Sequence, residues 1–515
     1  MRRLLIVLVA ALAVTGCALR RQQAQQLAQA DALFARGCYR CLQKAFTIYD
    51  TLRQAGYQPA NTSARAFDTA ILLAAREKEL AMEADGWITT AEGLAAAATK
   101  APIAGAKAQV YVEILRALPW AAGRHDRDFR NNALITVGPV IDALERWDTA
   151  LGPPETRSLV ATYLMASARC AFTPAREQES LTFERLAPAH ASTPLMQYVA
   201  GSCHADLRQH LDALASDADF HEVTFQLGRL RLYRGGATVH TDARVLLEAA
   251  RAGLPEAVAP TYLLAGVLSG LGEYEACAAM YGEVVKTGGA RRESMLSRTI
   301  CLTHAAKRQD AIETATGLID SPGVLRGEAF FWRAWNKYHL KQLQPARDDV
   351  EQAKTLVKDA DVFALSGFIA YDMQQKDYAY TEFAEAHRRA RTYCVAVFYQ
   401  GLIDSEKDRW PTAVDRYTVA TRCYESSVRR LESDLRGAHA LEMDNPTRQR
   451  RIDNLTQAVD AEKLQVAKAA YNVAYSYGRA GEMAKGVPFA EKAASAHKEM
   501  QKLAEELLVI LRKSR

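Results

Sequence analysis

The chain has 515 residues, of which 49% are hydrophobic and 24% are charged. This balance is typical of a folded globular chain and excludes intrinsic disorder, collagen and a multi-span membrane protein. The 65 lysines and arginines exceed the 60 acidic residues by only five, whereas nucleic-acid binders usually carry a clear basic stripe. The nine cysteines are an odd number, so at least one has no disulfide partner within the chain.

The first seventeen residues are predicted to direct export. Arg2 and Arg3 precede an apolar run at residues 4–14, which is too short to span a bilayer and is typical of a signal peptide. The run leads into Val14-Thr15-Gly16-Cys17, which resembles the lipobox of bacterial lipoproteins. The resemblance implies that 1–16 is a signal peptide and that Cys17 is the lipidation site. The alternative is an ordinary secretory signal followed by a chance cysteine.

The residue after the lipobox indicates which membrane would hold the lipoprotein. An aspartate at this position would resemble an inner-membrane retention signal, but residue 18 is alanine. The resemblance therefore implies a lipoprotein of the cell envelope, in the outer membrane and facing the periplasm where the host has an outer membrane. Several acyl chains would anchor the protein more stably than a single chain.

A register of about 34 residues runs through the centre of the chain. Small residues recur in predicted first helices at spacings of 34, 35, 33 and 34, namely Ala265, Thr299, Ala334, Gly367 and Gly401. Predicted second helices begin with Cys277, Ala311, Ala346, Ala379 and Ala413, and four residues later come Tyr281, Ala315, Val350, Phe383 and Tyr417. The pattern resembles the tetratricopeptide repeat (TPR). It implies pairs of antiparallel helices that stack because no single pair can bury its apolar face alone.

The regions beside this array are also predicted to be helical. Residues 227–257 resemble a Sel1-like repeat, and Ala474, Tyr477, Gly481, Ala490 and Ala493 are predicted to form one more TPR-like unit. Residues 421–470 are interpreted as a long hairpin broken at 444–446, and 491–511 as an amphipathic capping helix. No useful stretch of alternating apolar residues predicts a sheet.

The predicted fold class is therefore all-α, an α-solenoid of TPR and Sel1-like helical hairpins with a C-terminal helical extension. The predicted divisions are the signal peptide at 1–16, divergent hairpins at 17–200, the Sel1-like region at 201–257, the TPR array at 258–425 and the C-terminal hairpin, last unit and capping helix at 426–515.

Eight cysteines remain once Cys17 is lipidated, and an envelope compartment permits disulfides. The repeat register places two pairs of helix ends near one another, Cys394 with Cys423 and Cys277 with Cys301. Cys170 and Cys203 are 33 residues apart, like matching positions on neighbouring units, and Cys38 and Cys41 form a Cys-x-x-Cys at a predicted helix start. Eight buried thiols at tight helix contacts are the alternative. The Cys-x-x-Cys lacks the strand context of a redox motif and a second pair for zinc, so neither site is predicted.

No motif for catalysis or for cofactor binding is found. The chain has no phosphate-binding glycine loop, no Gly-x-Ser-x-Gly elbow and no paired histidines of a zinc protease helix. The sequence therefore predicts no catalytic residue, no metal ligand, no cofactor and no enzyme activity.

The first helices are predicted to line a groove. In the TPR pattern certain positions of the first helix face the concave side, and here they hold Tyr262, Phe331, Trp335, Tyr338, Phe368, Tyr371 and Phe398. Large aromatic side chains suit an amphipathic helix or an extended apolar peptide. The alternative is that the chain's own C-terminal hairpin fills the groove.

The sequence thus predicts a lipid-anchored envelope scaffold that binds other, unidentified envelope proteins and acts in assembly of an export or secretion apparatus. A periplasmic binding protein for a small molecule or glycan is the second hypothesis. No nucleic-acid partner is predicted, and the oligomeric state is left open.

Overall fold

Every regular element that the structure describes is helical, which confirms the predicted all-α solenoid. The computed structural model describes residues 2–82, 85–97, 105–118, 142–172, 190–203, 208–233, 239–287, 291–321, 323–440 and 446–513. For residues 2–17 only the backbone is described. Within these stretches there is no β-strand, and no helix is both long and apolar enough to cross a membrane.

The helices of the first half are α1 (Arg2–Arg36), α2 (Tyr39–Gln54), α3 (Pro59–Leu80), α4 (Asp85–Ala97), α5 (Gly105–Ala117), α6 (142–151), α7 (Leu159–Phe172), α8 (Pro194–Cys203), α9 (Gln209–Leu214), α10 (His221–Tyr233), α11 (Val239–Gly253) and α12 (Val258–Gly270).

The helices of the second half are α13 (Tyr274–Thr287), α14 (Arg291–His304), α15 (Arg308–Asp320), α16 (Arg326–His339), α17 (Leu343–Leu356), α18 (Ala360–Asp372), α19 (Lys376–Arg389), α20 (Cys394–Glu406), α21 (Trp410–Ala440), α22 (Pro446–Arg479), α23 (Met483–Ala496) and α24 (Lys498–Lys513).

These helices form two compact units. The first contains the described parts of 1–235, 239–272 and 283–291, and the second contains those of 273–282 and 292–515. Cys17 lies in α1, in the stretch without described side chains, so its lipidation stays a prediction. The proposed divisions at 200, 257 and 425 likewise stay predictions.

The small residues of the second unit lie where paired helices touch. The Ala334 and Ala346 side chains are completely buried in one core shared by α15 to α18. A Cβ atom placed on Gly367 would lie 2.7 Å from the Phe383 ring, and one on Gly401 would lie 2.9 Å from the Tyr417 ring. These glycines therefore make room for the aromatic residue of the second helix, which explains the repeating small position.

Each first helix of the array also ends in the same way. The second residue after it has a positive φ, at Gly272, Ala306, Lys341, Gln374, Asp408 and Gly481. The next amide donates back five residues in the chain, as Lys307 N does to Leu302 O and Gln342 N to Lys337 O, both at 2.9 Å. This pattern is a Schellman cap, which satisfies the last carbonyls of a helix. Only two of the six positions are glycine, so the stacking imposes a backbone that the local sequence does not favour.

The C-terminal extension contains a long hairpin of α21 and α22, which runs from Trp410 to Arg479 rather than over the predicted 421–470. Residues 444 and 445 of the predicted break lie outside the described residues, and Pro446 occupies the first turn of α22, as proline favours. The single capping helix at 491–511 is wrong, because α23 ends at Ala496 and α24 begins at Lys498. His497 has an extended backbone and its Nδ1 accepts the Glu499 amide at 3.2 Å, so it caps α24.

The first unit is organised around buried charge. The Arg76 guanidinium is fully buried and pairs with the equally buried Glu222 at 2.7 Å and with Glu79 at 2.6 Å. It also lies 4.0 Å from the centre of the Tyr198 ring. Glu222 in addition accepts the amide of Tyr39 at 2.6 Å, at the start of α2. One ion-pair network thus joins α2, α3, α8 and α10.

The eight cysteines of the predicted pairs are joined as four disulfides in the structure. The Cα–Cα distances are 5.0 Å for Cys38–Cys41, 5.6 Å for Cys170–Cys203, 6.1 Å for Cys277–Cys301 and 5.5 Å for Cys394–Cys423. Cys38 also caps α2, because its Sγ accepts the Cys41 amide at 3.1 Å. Three of the four bonds link different helices, and only Cys38–Cys41 lies within a single turn.

Removal of the central arginine should test the buried network. We expect Arg76→Ala to lower the free energy of unfolding by about 3–5 kcal/mol, because it leaves Glu222 buried and unpaired. The matched control is Arg116→Ala, whose exposed pair with Glu92 should contribute at most about 1 kcal/mol. Urea unfolding followed by tryptophan fluorescence measures both variants. Equal losses in the two variants would contradict the assigned role.

A thiol count on the denatured, unreduced protein should test the disulfides. We expect no reactive thiol from the eight paired cysteines, and at most the Cys17 thiol in protein that is not lipidated. After reduction all eight should react. Eight reactive thiols before reduction would refute the pairing and favour buried free cysteines.

Candidate functional site

Six of the seven predicted groove residues lie in the second unit and form what we call the aromatic face. All six are half-buried, and they are Phe331, Trp335, Tyr338, Phe368, Tyr371 and Phe398. They lie on the first helices α16, α18 and α20. Tyr262, the seventh, is also half-buried but belongs to the first unit, so it is not part of this face.

Helical spacing explains why the residues of α16 share one side. Phe331, Trp335 and Tyr338 are separated by four and three residues, so they lie along the same stripe. The Phe331 and Trp335 ring centroids are 6.3 Å apart. All three pack against the core formed by α15 to α18. One side of each ring is therefore held by the core while part of it stays accessible.

Tyr399 joins the aromatic residues of α18 and α20. Its ring centroid lies 5.1 Å from that of Phe368, 5.3 Å from that of Tyr371 and 6.2 Å from that of Phe398. The groove pattern did not include Tyr399, because it occupies the position directly after a groove position. The structure shows that this half-buried ring bridges two neighbouring repeats.

The tyrosine hydroxyls of the face meet carboxylates of the next repeat. The Tyr371 hydroxyl donates to Glu406, and the Tyr338 hydroxyl contacts Asp372. Burial and then these carboxylates raise the pKa of both phenols. Both hydroxyl groups therefore stay protonated and act as donors, which fixes the orientation of the rings.

A rim of ion pairs follows the ends of the same first helices. Lys341 lies 3.5 Å from Asp372, and Lys376 lies 2.9 Å from Glu406. Because Lys341 and Asp372 belong to successive helix pairs, these contacts bridge neighbouring repeats. The charges of these two lysines are thus paired within the chain.

At one end of the aromatic face, the chain's own C-terminal hairpin occupies the groove. Phe398 packs against two cores that include Val466, Ala469 and Val473 of α22. The core partners of Trp335 and Phe368 belong to α14–α20 instead. In the described contacts, the C-terminal hairpin therefore covers Phe398 and leaves the remaining face to its own repeats.

Sequence reasoning missed a second group of aromatic residues. Tyr475, 37% exposed, accepts a hydrogen bond from Arg479 at 3.3 Å, and Arg479 lies 4.7 Å from the centre of the Trp410 ring. Tyr471 and Tyr475 stand three before and one after Ala474, as Phe331 and Trp335 stand around Ala334. Extension of the register to the last unit would have found them.

The described residues contain no group of three or more histidine, cysteine, aspartate or glutamate side chains that could hold a metal ion. Within the aromatic face the Tyr371 hydroxyl donates to Glu406, and the ion pairs of Lys341 and Lys376 lie at its edge. The arrangement suits the binding of apolar or amphipathic segments, since rigid rings bury much area at little entropic cost.

No family model and no curated protein matches the chain. Several solved structures are similar. The TPR protein YrrB, described as having an unusual peptide-binding site, is 16% identical, with 34% of this chain and 91% of that chain covered and a TM-score of 0.29. The C-terminal part of a TPR repeat-containing protein from Cytophaga hutchinsonii is 12% identical, with 56% and 99% covered and a TM-score of 0.38.

A third similar structure is Cut9–Hcn1 of the APC/C. It is 12% identical, with 95% of this chain and 96% of that chain covered and a TM-score of 0.31. Because these TM-scores are below 0.5, the solenoid assignment depends on the paired helices and repeated caps of this chain itself.

Proposed function

We propose that the protein is a scaffold that binds other proteins through the aromatic face of its solenoid. The observation that carries the proposal is the row of half-buried rings on α16, α18 and α20. For every ring except Phe398, which the C-terminal hairpin covers, the core holds one side, so a partner could cover the other side without ordering a flexible surface.

Because the aromatic face is open and not enclosed, we favour a protein partner over a small-molecule ligand. Small molecules prefer concave cavities that enclose most of their surface. Cavities of about 350 and 440 Å³ are found in the first unit, lined by residues such as Glu248 and Thr261 in one and Phe67 and Val112 in the other. A small molecule or a glycan in such a cavity is the alternative function.

The proposed place of action is the cell envelope. Cys17 and the residues before it resemble a lipoprotein signal, and four disulfides are compatible with an oxidising compartment such as the periplasm. The proposed partners are therefore other envelope proteins, and the proposed process is assembly of an export or secretion apparatus. No cofactor is needed for this role.

Removal of the Trp335 ring should test whether the aromatic face binds a partner. A photo-reactive amino acid at Phe331 should cross-link a discrete partner in cells. Addition of Trp335→Ala should reduce that product, since a central aromatic anchor is worth about 2 kcal/mol, or roughly thirtyfold in affinity. The control is Tyr380→Ala on the second helix α19. The control should retain the cross-linked product. If the Trp335→Ala chain retains it equally, or if a small ligand alone raises the melting temperature, the scaffold proposal is wrong.

The lipid anchor has a separate test. We expect Cys17→Ser to move the protein from the membrane fraction to the soluble fraction, because the acylated sulfur would be absent. Membrane fractionation followed by immunoblotting measures this, and Ala18→Ser serves as the control that keeps the cysteine. A chain still anchored after Cys17→Ser would contradict lipidation at that residue.

A further inference from the structure

His497 lies in the one-residue break between α23 and α24. Among the histidines that the structure describes, it alone is buried, with 6% of its surface exposed. Its backbone is extended, so it stands outside both helices and occupies the N-cap position of α24. This position places an ionisable ring at the start of a helix, where the first backbone amides need an acceptor.

The two ring nitrogens of His497 have different neighbours. Nδ1 accepts the Glu499 amide at 3.2 Å, and a ring nitrogen that accepts carries no proton. Nε2 lies 3.3 Å from Asp460 Oδ1 on α22, although this contact lacks the geometry of a hydrogen bond. The hydrogen bond at Nδ1 therefore assigns a neutral ring with its single proton on Nε2.

We propose that His497 is a pH-sensitive latch that holds the start of α24 at neutral pH and releases it in mild acid. A second proton binds at Nδ1 and points at the N–H of Glu499, so two donors face each other and the cap is lost. The added positive charge also lies at the N-terminus of α24, where the helix dipole disfavours cations. Opening of the first turn therefore takes up a proton and becomes more favourable as the pH falls.

The charged groups on the helices packed around the latch oppose this effect only weakly. Asp460 attracts a protonated ring, but its side chain is 69% exposed, so water screens the attraction. α21 packs against the end of α23, and its Glu425 is paired with Lys492 of α23 at 2.6 Å. On α24 itself, Lys498 and Glu499 are exposed and of opposite charge.

A second titratable group on α22 acts in the opposite direction. Glu462 lies two residues after Asp460, and burial raises the pKa of its carboxyl group. A carboxyl whose pKa is raised in the folded state stabilises that state as the pH falls, whereas the latch is released as the pH falls. A measurement on α24 itself, rather than on global stability, therefore separates the two groups.

Release of the first turn affects how α24 is held. Met500, three residues after His497, is 9% exposed, and its amide donates to the His497 carbonyl at 3.1 Å. Farther along, Leu507 and Leu511 join a core with residues of α22 and α23. Opening in acid therefore begins at the N-terminal end of α24, while the apolar contacts at its far end keep the helix attached. The latch contains no residue of the aromatic face, so it is independent of the proposed function.

Hydrogen exchange on the purified full chain, followed by mass spectrometry at about pH 7.5 and about pH 5, tests the latch. The comparison is with His497→Asn, because asparagine is a good N-cap and does not titrate. At the lower pH, the peptide covering 498–506 should exchange roughly fivefold faster in the wild type than in His497→Asn, since a cap is lost. At the higher pH the two chains should exchange at similar rates. Taking the ratio at one pH removes the intrinsic effect of pH on exchange.

Two further variants separate the latch from other histidines and from a change of fold. His304→Asn removes an exposed histidine of α14 and should keep the acid response of the wild type. His497→Ser, a second cap that does not titrate, should match His497→Asn at both pH values. A ratio of wild type to His497→Asn that is the same at both pH values overturns the proposal. Loss of the acid response in His304→Asn, or its persistence in His497→Ser, also overturns it.

Discussion

Close contact between paired helices is the constraint on which the second unit depends. Gly367 faces the Phe383 ring and Gly401 faces the Tyr417 ring, where an added Cβ would lie within 3 Å of ring atoms. In the preceding repeat the same two positions hold Ala334 and Val350, both completely buried in one core. In these three repeats a glycine on the first helix accompanies an aromatic residue on the second, whereas an alanine accompanies a valine. The two side chains share the space between the helices.

This sharing also shapes the aromatic face. The small residue of each first helix allows the second helix to approach, while the residues on the adjacent stripe of the first helix remain only partly covered. Trp335 and Tyr371 lie on such stripes with one side against a core, and the Tyr371 hydroxyl donates to Glu406 of the next repeat. The packing of the solenoid therefore leaves partly exposed rings that are fixed on one side without any additional element.

The first unit is stabilised in a different way. Its helices are joined by the buried network of Arg76, Glu79 and Glu222 and by the disulfide Cys170–Cys203, while Cys38–Cys41 closes the start of α2. A buried charge is costly unless it is paired, so such a network tolerates few alternative arrangements of the helices. The regular repeat pattern is weak in this part of the chain, and specific pairs of residues replace it.

The sequence by itself determined the helical class, the 34-residue period and the approximate ends of the hairpins, because helix spacing and small contact residues are local properties. The same register indicated that Cys277 lies near Cys301 and that Cys394 lies near Cys423. Only the tertiary structure decided the left-handed backbone at Ala306, Lys341 and Gln374, since stacking forces it on residues that do not prefer it. It also decided the Arg76 network and the exposed share of each ring, because these depend on contacts between residues far apart in the chain.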